Sequence, residues 1–575
     1  MQTTNDNLNA TKIFFRGIVI ALLTYVALGT PNVRGSDILN IGLLYEPKIL
    51  NVWSASDRWS RKVLDQFYQP LYIREPRHLK LVPWLAQSDP VYNPSDRSYT
   101  IHLRPAKWSD GSELTSEDVA FTGRFIKKFR MPLFYSNWSF IQKIETPDKR
   151  TVKFYLKELK AIFLTRTLTT PIVQKKEWHA VTSNVRETKE IREKILVYSA
   201  KSPVSNGPFV LNNWKAGESL FLERNPHFFG KGQTVDGHIL GPHIDGILFK
   251  IYHNSEAAVF ALNKGEIDMF WWSIPPEHLE KLLKNQNIEF YLNERSALHF
   301  IGFNVRKIPF SDINFRRAVA TLIDRDYLIT KLLNYNAVKM YSIVPPENTF
   351  WYNENVPKYG DGLSREALVR EAYEILNKAG YTWKVPPVDS DGKVVKGEGI
   401  IMPDGRTMKE VNILTPTTDY DPHRFKAGIM AERWLRGMGI PANTKAMEFG
   451  ALIHRIKDRH QFDLFVLAYG NLSLDPDYLR SFFHSRNDKP GDWNMSGYRN
   501  PVYDRIADES ARAMQPETRR ELIWKMQHIL MQDVPYFPLY NPKMIEGVRK
   551  ERFKGWVEMF GGIGNMWSFC QIRTK

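Results

Sequence analysis

Only one cysteine occurs in the 575 residues, Cys570. No internal disulfide can form, no cysteine-based metal site can be built, and no cysteine follows the N-terminal apolar stretch to carry a lipid. Long hydrophobic runs are also missing. The run "GIVIALLTYVAL" (17–28) has twelve residues, whereas a membrane-spanning helix needs about 20. Neither HExxH, GxSxG nor a Walker A sequence is present, which removes the common zinc-protease, serine-hydrolase and nucleotide-hydrolysing readings. A secreted hydrolase working through paired carboxylates is the enzyme reading that remains. Zinc-finger spacing and a long basic arm are absent too, so no nucleic-acid partner is expected. His227, His238, His243 and His253 lie close in sequence but match no helix-face pair, and read as isolated surface residues rather than metal ligands.

What is present is an ordinary globular composition, 43% hydrophobic and 25% charged, in a chain too long for a single core, so two or three domains are expected. Aromatics are abundant at 13%, with 16 tryptophans, and a ligand cleft lined with indoles is one use for them. Lys12 and Arg16 precede the short apolar run, and small residues follow at Ala27-x-Gly29 and Val33-x-Gly35. This is the pattern of a secretory signal peptide at 1–35, cleaved after Gly29 or Gly35. The mature chain is then soluble and periplasmic. Its net charge is +14 against +16 for the full chain, since Lys12, Arg16, Arg34 and Asp6 are removed. The basic residues are interleaved with acids and read as a solvated surface.

Periodicity places the main elements. Tyr99, Ile101 and Leu103 alternate with polar residues as a half-buried strand, and Val152, Phe154 and Leu156 mark another. The segment 202–230 reads as a turn at Asn206-Gly207-Pro208 followed by a hairpin pivoting at Ala216-Gly217. Between 411 and 470 the pattern is β-α-β-α-β. The strand "VNILT" leads into a helix striped by Ala427, Met430, Ala431, Trp434, Leu435 and Met438 and closed by Gly439. "IPANTKAM" is the next strand, and after a second helix the apolar "FDLFVLAY" (462–469) reads as a strand buried on both faces. Such crossovers build a parallel sheet, and ligands of open α/β sheets bind beyond the carboxyl ends of the strands. Tyr469, Gly470 and Asn471 are therefore at a candidate cleft. The Gly-, Pro- and Asp-rich segment 384–410 reads as a surface ornament.

The acid-rich "KWSDGSELTSEDVAFT" (107–122) reads as architecture. Asp110-Gly111 supplies a turn, Thr115 with Asp118 a variant of the capping box, and Glu117 and Asp118 suit the positive end of a helix dipole. Phe121, Phe125 and Phe129 then stripe the helix.

Seven stretches in order give a resemblance. They are "LVPWLAQS" (81–88), "YTIHLRPAKWSDGSELTSEDVAFT" (99–122), "SNGPFVLNNWKAGESLFLERNPHFFG" (205–230), "ALNKGEID" (261–268), "NFRRAVATLIDRDYLI" (314–329), "LDPDYLRSFFHS" (474–485) and "NMSGYRNPVYDRI" (494–506). The chain from about 37 to its end resembles the family 5 extracellular solute-binding proteins, the peptide and nickel receptors of ABC importers. The resemblance implies an α/β, bilobal periplasmic-binding-protein fold (a Venus flytrap) with an extra domain inserted in the first lobe. The implied division is 36–75, 200–302 and 533–575 in lobe 1, 76–199 as the extra domain, and 303–532 as lobe 2. Hinge crossovers fall near 300–306 and 533–542. A peptide or other small organic solute is enclosed between the lobes of a monomer and handed to permease subunits, with no cofactor and no catalysis. An oligosaccharide is the alternative ligand class on the same fold.

The family's peptide receptors hold the ligand's α-amine with an acid four residues before the proline of an acid–proline pair. Counting back from Pro476 gives Leu472, so that clamp is missing, although Tyr469 keeps the neighbouring aromatic. The candidate ligand residues are Asn206 in the "SNGPF" turn, Trp271 and Trp272 as stacking platforms, Tyr469 and Asn471 at the strand end, Asp475, and Tyr540 at the implied hinge. Asn206 and Asp475 also have plain structural uses, as turn and helix-cap residues.

Overall fold

The strand Tyr536–Arg549 runs fourteen residues, more than twice the usual length, and its pairing organises the molecule. In the computed structural model, which describes residues 37–183 and 188–575, its first half pairs antiparallel with Leu298–Phe303 and Ala337–Lys339. Its second half pairs with Ile288–Glu294 and Met269–Phe270. A twelve-stranded sheet therefore passes through it into two arms. The expected signal peptide, 1–35, lies outside the described residues.

The first arm continues through Ile38–Leu43, Gly246–Ile251, Ser219–Arg224 and Phe209–Lys215. Ile38–Leu43 is parallel to both of its neighbours, Gly246–Ile251 and Met269–Phe270, and nearly all its side chains are buried. The expected hairpin is present, turning at Gly217 with φ +71°. A four-stranded antiparallel sheet, ordered Val91–Asn93, Ser98–His102, Thr151–Leu156 and Ile141–Asp148, packs with the capped helix Ser116–Phe129 onto this arm. The two share one apolar core, in which Trp53 stacks on Phe125 at 5.2 Å and meets Trp178 edge-on at 5.6 Å.

The acid-rich stretch forms the root of this helix. Asp118 accepts from the backbone N–H of Thr115 at 2.9 Å and of Lys175 at 2.9 Å, and from the Trp108 indole at 3.3 Å. Asp110 accepts from the Ser112 N–H at 3.0 Å and the Gln174 amide at 3.1 Å, with Gly111 at φ +83°. Glu113 and Glu117 pair with Lys149 and Lys175. Each acid has a structural partner.

The second arm carries the β-α-β-α-β unit. Val411–Pro416 lies between Ala442–Met447 and Leu464–Tyr469 and is parallel to both. The helix Pro422–Gly437 buries Ala427, Ala431, Trp434 and Leu435 as its spacing dictates, and Gly439 follows at φ +81°. The segment 384–410 carries most of a small hairpin, Thr382–Val385 with Glu398–Ile401, held to the end of that helix by the Trp383 indole donating to the Met438 carbonyl at 2.7 Å.

The chain crosses between the arms at 295–297, which join Ile288–Glu294 to Leu298–Phe303, and again inside the long strand, where partners change between Pro542 and Lys543. Residues 300–303, at the start of the implied crossover, are paired on both edges in the second arm. Asn541 fastens the two crossings to one another. Its buried amide donates to the Arg295 carbonyl at 2.7 Å and to the Glu294 carboxylate at 3.0 Å.

Asn206-Gly207 docks on the helix-to-strand turn of the first arm. A Cβ on Gly207 would lie 2.0 Å from the Gln66 carbonyl oxygen, a backbone atom that cannot step aside. Gly207→Ala is expected to destabilise the protein by about 1–3 kcal/mol or more, read as a lowered midpoint in urea; an unchanged midpoint would show that this turn relaxes freely.

Candidate functional site

Where the arms meet, a cavity of about 530 Å³ opens beside the two crossings. That size lies within the range of about 300–1,000 Å³ typical of small-molecule sites. The first arm supplies Trp271 and Trp272, which leave the end of Met269–Phe270, and the helix Arg58–Leu64. Arg295 and Ser296 come from one crossing, and Gly470 and Asn471 from the second arm, just beyond the carboxyl end of Leu464–Tyr469. The strand-end argument thus puts Asn471 on the cavity wall.

The helix forms because Asp57 caps it, accepting from the Ser60 N–H at 2.9 Å and hydroxyl at 2.6 Å. Its apolar face buries Trp59, Val63 and Leu64. The opposite face, at i, i+3, i+4 and i+7, is Arg58, Arg61, Lys62 and Asp65, and all four line the cavity. Lys62 Nζ stands 3.7 Å from the centre of a Trp271 ring. The guanidiniums of Arg58 and Arg295 lie 4.8 and 5.1 Å from Trp272. Burial pushes the Lys62 ammonium down to about 7, against the raising effect of Glu546 and with Arg58 adding to the depression. Glu546, pushed up to about 7 by burial, is held by the Ile563 N–H at 2.7 Å. The i, i+3, i+4 basic pattern in "RWSRK" is the signal for these residues in the sequence, and it is local to one helix face rather than part of a solvated basic surface.

The other candidates are placed as follows. Trp271 is nearly inaccessible, stacked on Phe249 at 5.9 Å and edge-on to Phe569, with Lys62 over it. Trp272 is half-buried against Trp59 at 5.3 Å. Tyr469 is sandwiched between Phe300 at 5.3 Å and Phe482 at 4.4 Å. Tyr469 does not line this cavity, and neither do three further candidates. Asn206 is fully buried and bonded to the Gln69 backbone, whose N–H it accepts at 2.8 Å. Tyr540 is buried and stacked on His299 at 4.6 Å. Asp475 is enclosed with Arg519 in a two-bond ion pair at 2.7 and 2.8 Å. Leu472 is buried in the apolar core of the second arm, its backbone tied both ways to Ser296.

Arg519 forms part of the wall of a second cavity, about 370 Å³, between the inserted sheet and the second arm. Tyr72, Leu81, Tyr99, Leu164, Trp351 and Met514 make it largely apolar. The first cavity draws its wall from both arms and one crossing; the second, although Arg74, Lys80, Asp89, Glu517 and Arg519 also line it, lies away from the crossings. Among the described residues no group of three or more His, Cys, Asp or Glu is arranged to hold a metal ion, and no helix is long and apolar enough to cross a membrane.

Comparison with known proteins gives one consistent answer. Residues 80–490 match the family described as bacterial extracellular solute-binding proteins, family 5 Middle. The oligopeptide-binding protein AppA of Bacillus subtilis is 24% identical over 518 residues, covering 88% of this chain and 87% of AppA. The periplasmic oligopeptide-binding protein OppA of Salmonella typhimurium is 24% identical over 467 residues, 78% of this chain and 77% of OppA. Among solved structures, a periplasmic oligopeptide-binding protein of an ABC transporter from Thermotoga maritima superposes with a TM-score of 0.73 at 23% identity, covering 94% of this chain and 100% of that one. The bilobal α/β fold is common to them.

Burial alone would push Asp475 upward; the charge and hydrogen bonds of Arg519 overcome it and hold the carboxyl well below the usual carboxylate range. A depressed native value means that the stabilisation is complete above the unfolded value of about 3.9 and fades as pH falls through the native one. Asp475→Asn leaves Arg519 buried without its counter-charge and is expected to cost about 3–5 kcal/mol at pH 7. The variant should also lose part of the wild-type fall in stability below about pH 4. Urea melts between pH 7 and pH 3 check both; a loss under about 1 kcal/mol would remove the pair from the structural frame.

Proposed function

Because the chain belongs to the bacterial extracellular solute-binding proteins of family 5, we propose that it captures a peptide or peptide-like solute between its two arms and delivers it to the permease of an ABC importer. It does so in the periplasm, as a monomer, after loss of residues 1–35, and it releases the solute chemically unchanged. The observation that carries this reading is the cavity at the crossings, whose wall is drawn from both arms and from one of the crossings. A site built this way is completed by closure, and closure reports occupancy to a membrane partner. The relatives named for oligopeptides support a peptide as the solute. Native mass spectrometry of the purified protein tests it directly, through the mass of the retained solute; a protein that carries and binds no peptide overturns it.

The ligand contacts we propose are Trp272 and Asn471, with Arg58, Lys62 and Arg295 around them and Trp271 as the buried support beneath Lys62. The proposed hinge is the pair of crossings at 295–297 and 541–543, and closure about it should lower the radius of gyration when a bound peptide is added in excess. Small-angle scattering with and without that peptide measures the change; an unchanged radius with proven binding would count against hinge closure.

A free α-amine should contribute little. A buried ammonium needs a counter-charge, Leu472 offers none, and Asp475 is already held by Arg519. A hydrogen bond to a charged group is worth about 1.5–3 kcal/mol, roughly ten- to a hundredfold in affinity. Calorimetry should find N-acetylated and free-amine forms of one bound peptide within about threefold. A preference above about tenfold for the free amine would mean that another acid holds it.

A further inference from the structure

The cations of the first cavity, the exposed Arg58 and the half-buried Lys62 and Arg295, are held differently from the arginines enclosed elsewhere in the chain. Arg519 is paired with Asp475, Arg424 with Asp421, Arg316 with the carbonyls of Asp533 and Phe310, and Arg325 with those of Met340 and Tyr359. Among the described residues, Arg58, Lys62 and Arg295 have neither an ion pair within 4.0 Å nor a side-chain hydrogen bond, and the buried Nε of Arg295 has no partner at all. All three are held instead over indole faces, Arg58 and Arg295 by Trp272 and Lys62 by Trp271. An aromatic face attracts a cation without using its N–H groups, so these donors remain available. An arginine donor pair matches a carboxylate in two parallel bonds.

We propose that the solute of this cleft is an anion, an acidic peptide or peptide-like molecule whose side-chain carboxylate is received between Arg58, Lys62 and Arg295. This rests on the reading that the cavity at the crossings holds the solute, and it adds the charge class. The acids facing the three cations are Asp65 at the end of the same helix and Glu546 from the long strand, so with Arg61 the wall carries four cations and one acid, Asp65, with Glu546 as a second acid outside the lining. Both facing acids are outnumbered even when ionised. A bound carboxylate beside Lys62 favours its charged form. The lysine would otherwise lose its proton near 7 and Glu546 would gain negative charge in the same range. Affinity for an acidic solute therefore falls as pH rises from 6 to 9.

The test uses the purified protein, dialysed free of retained solute, and four probe pools: acidic tripeptides of the Ala-Glu-Ala type, their glutamine and lysine counterparts, non-peptide di- and tricarboxylates, and neutral oligosaccharides. Re-isolated protein is read by mass spectrometry, and captured probes are titrated by calorimetry. The glutamate peptides should bind about tenfold or more tightly than the glutamine ones, with the lysine ones weakest and the preference shrinking at high salt. Arg295→Met and Lys62→Met should bring glutamate and glutamine peptides within about threefold of each other. Arg58→Gln alters an exposed side chain and keeps the test open if a more buried variant fails to fold. Equal binding of glutamate and glutamine peptides, or preference for lysine, overturns the anionic class while leaving the peptide reading intact. Capture of carboxylates with peptides ignored upholds the anion and removes the peptide. Capture of oligosaccharides alone, or of nothing, removes both.

Discussion

Backbone pairing along one fourteen-residue strand is the constraint on which the molecule depends. Every N–H and C=O buried in the middle of a sheet needs a partner, and Tyr536–Arg549 finds its partners in one arm for its first half and in the other for its second. The arms are therefore not separate bodies joined by a tether. They are one hydrogen-bonded sheet whose direction is set at the point where partners change. The second crossing runs alongside, and the Asn541 amide joins the two through the Arg295 carbonyl and the Glu294 carboxylate. Any relative rotation of the arms is concentrated in a handful of residues at these crossings, because the flanking ladders cannot shear without breaking hydrogen bonds.

The cavity takes its character from that same point. Arg295 follows directly on the last residue of the strand Ile288–Glu294, so the residue that links the arms is also one that lines the cavity. Its neighbours in the cavity are cations held by aromatic faces. Elsewhere the chain encloses charge in the conventional way, as Asp475 with Arg519, where each partner neutralises the other. The contrast separates two uses of arginine: locked into the scaffold by a carboxylate, or held by an indole with its donors open.

Much of the architecture was legible in the residues. The β-α-β-α-β unit announced itself because a two-face buried strand, a helical stripe and a glycine terminator are local signals. The "KWSDGSELTSEDVAFT" stretch could be assigned to scaffold because turn and cap chemistry explain each acid without invoking a partner far away. The cavity was half legible. Asn471 followed from the strand-end rule and Trp272 from its aromatic character. Asn206, Asp475 and Tyr540 meet Gln69, Arg519 and His299, partners 44 to 241 positions away that one dimension does not show. Tryptophan content misled in a similar way. Trp53, Trp84, Trp108, Trp138, Trp178 and Trp567 are fully enclosed core, and abundance says nothing of which indole meets a cavity. The cationic stripe of Arg58, Arg61 and Lys62 was readable as a helix face, but only once a helix of seven residues is credited there, which its short apolar pattern hardly advertises.

The solitary Cys570 is completely enclosed beside Trp84, Phe228 and Trp567, and burial raises its thiol far above the usual range. A thiol that neither ionises nor meets solvent does not react with maleimides or spin labels. For optical and magnetic ruler experiments the native chain is thus already silent. A pair of cysteines placed on exposed rim positions, one on each arm, would accept a dye or nitroxide pair with no need to mutate the natural residue, and the spacing between the arms could be followed one molecule at a time.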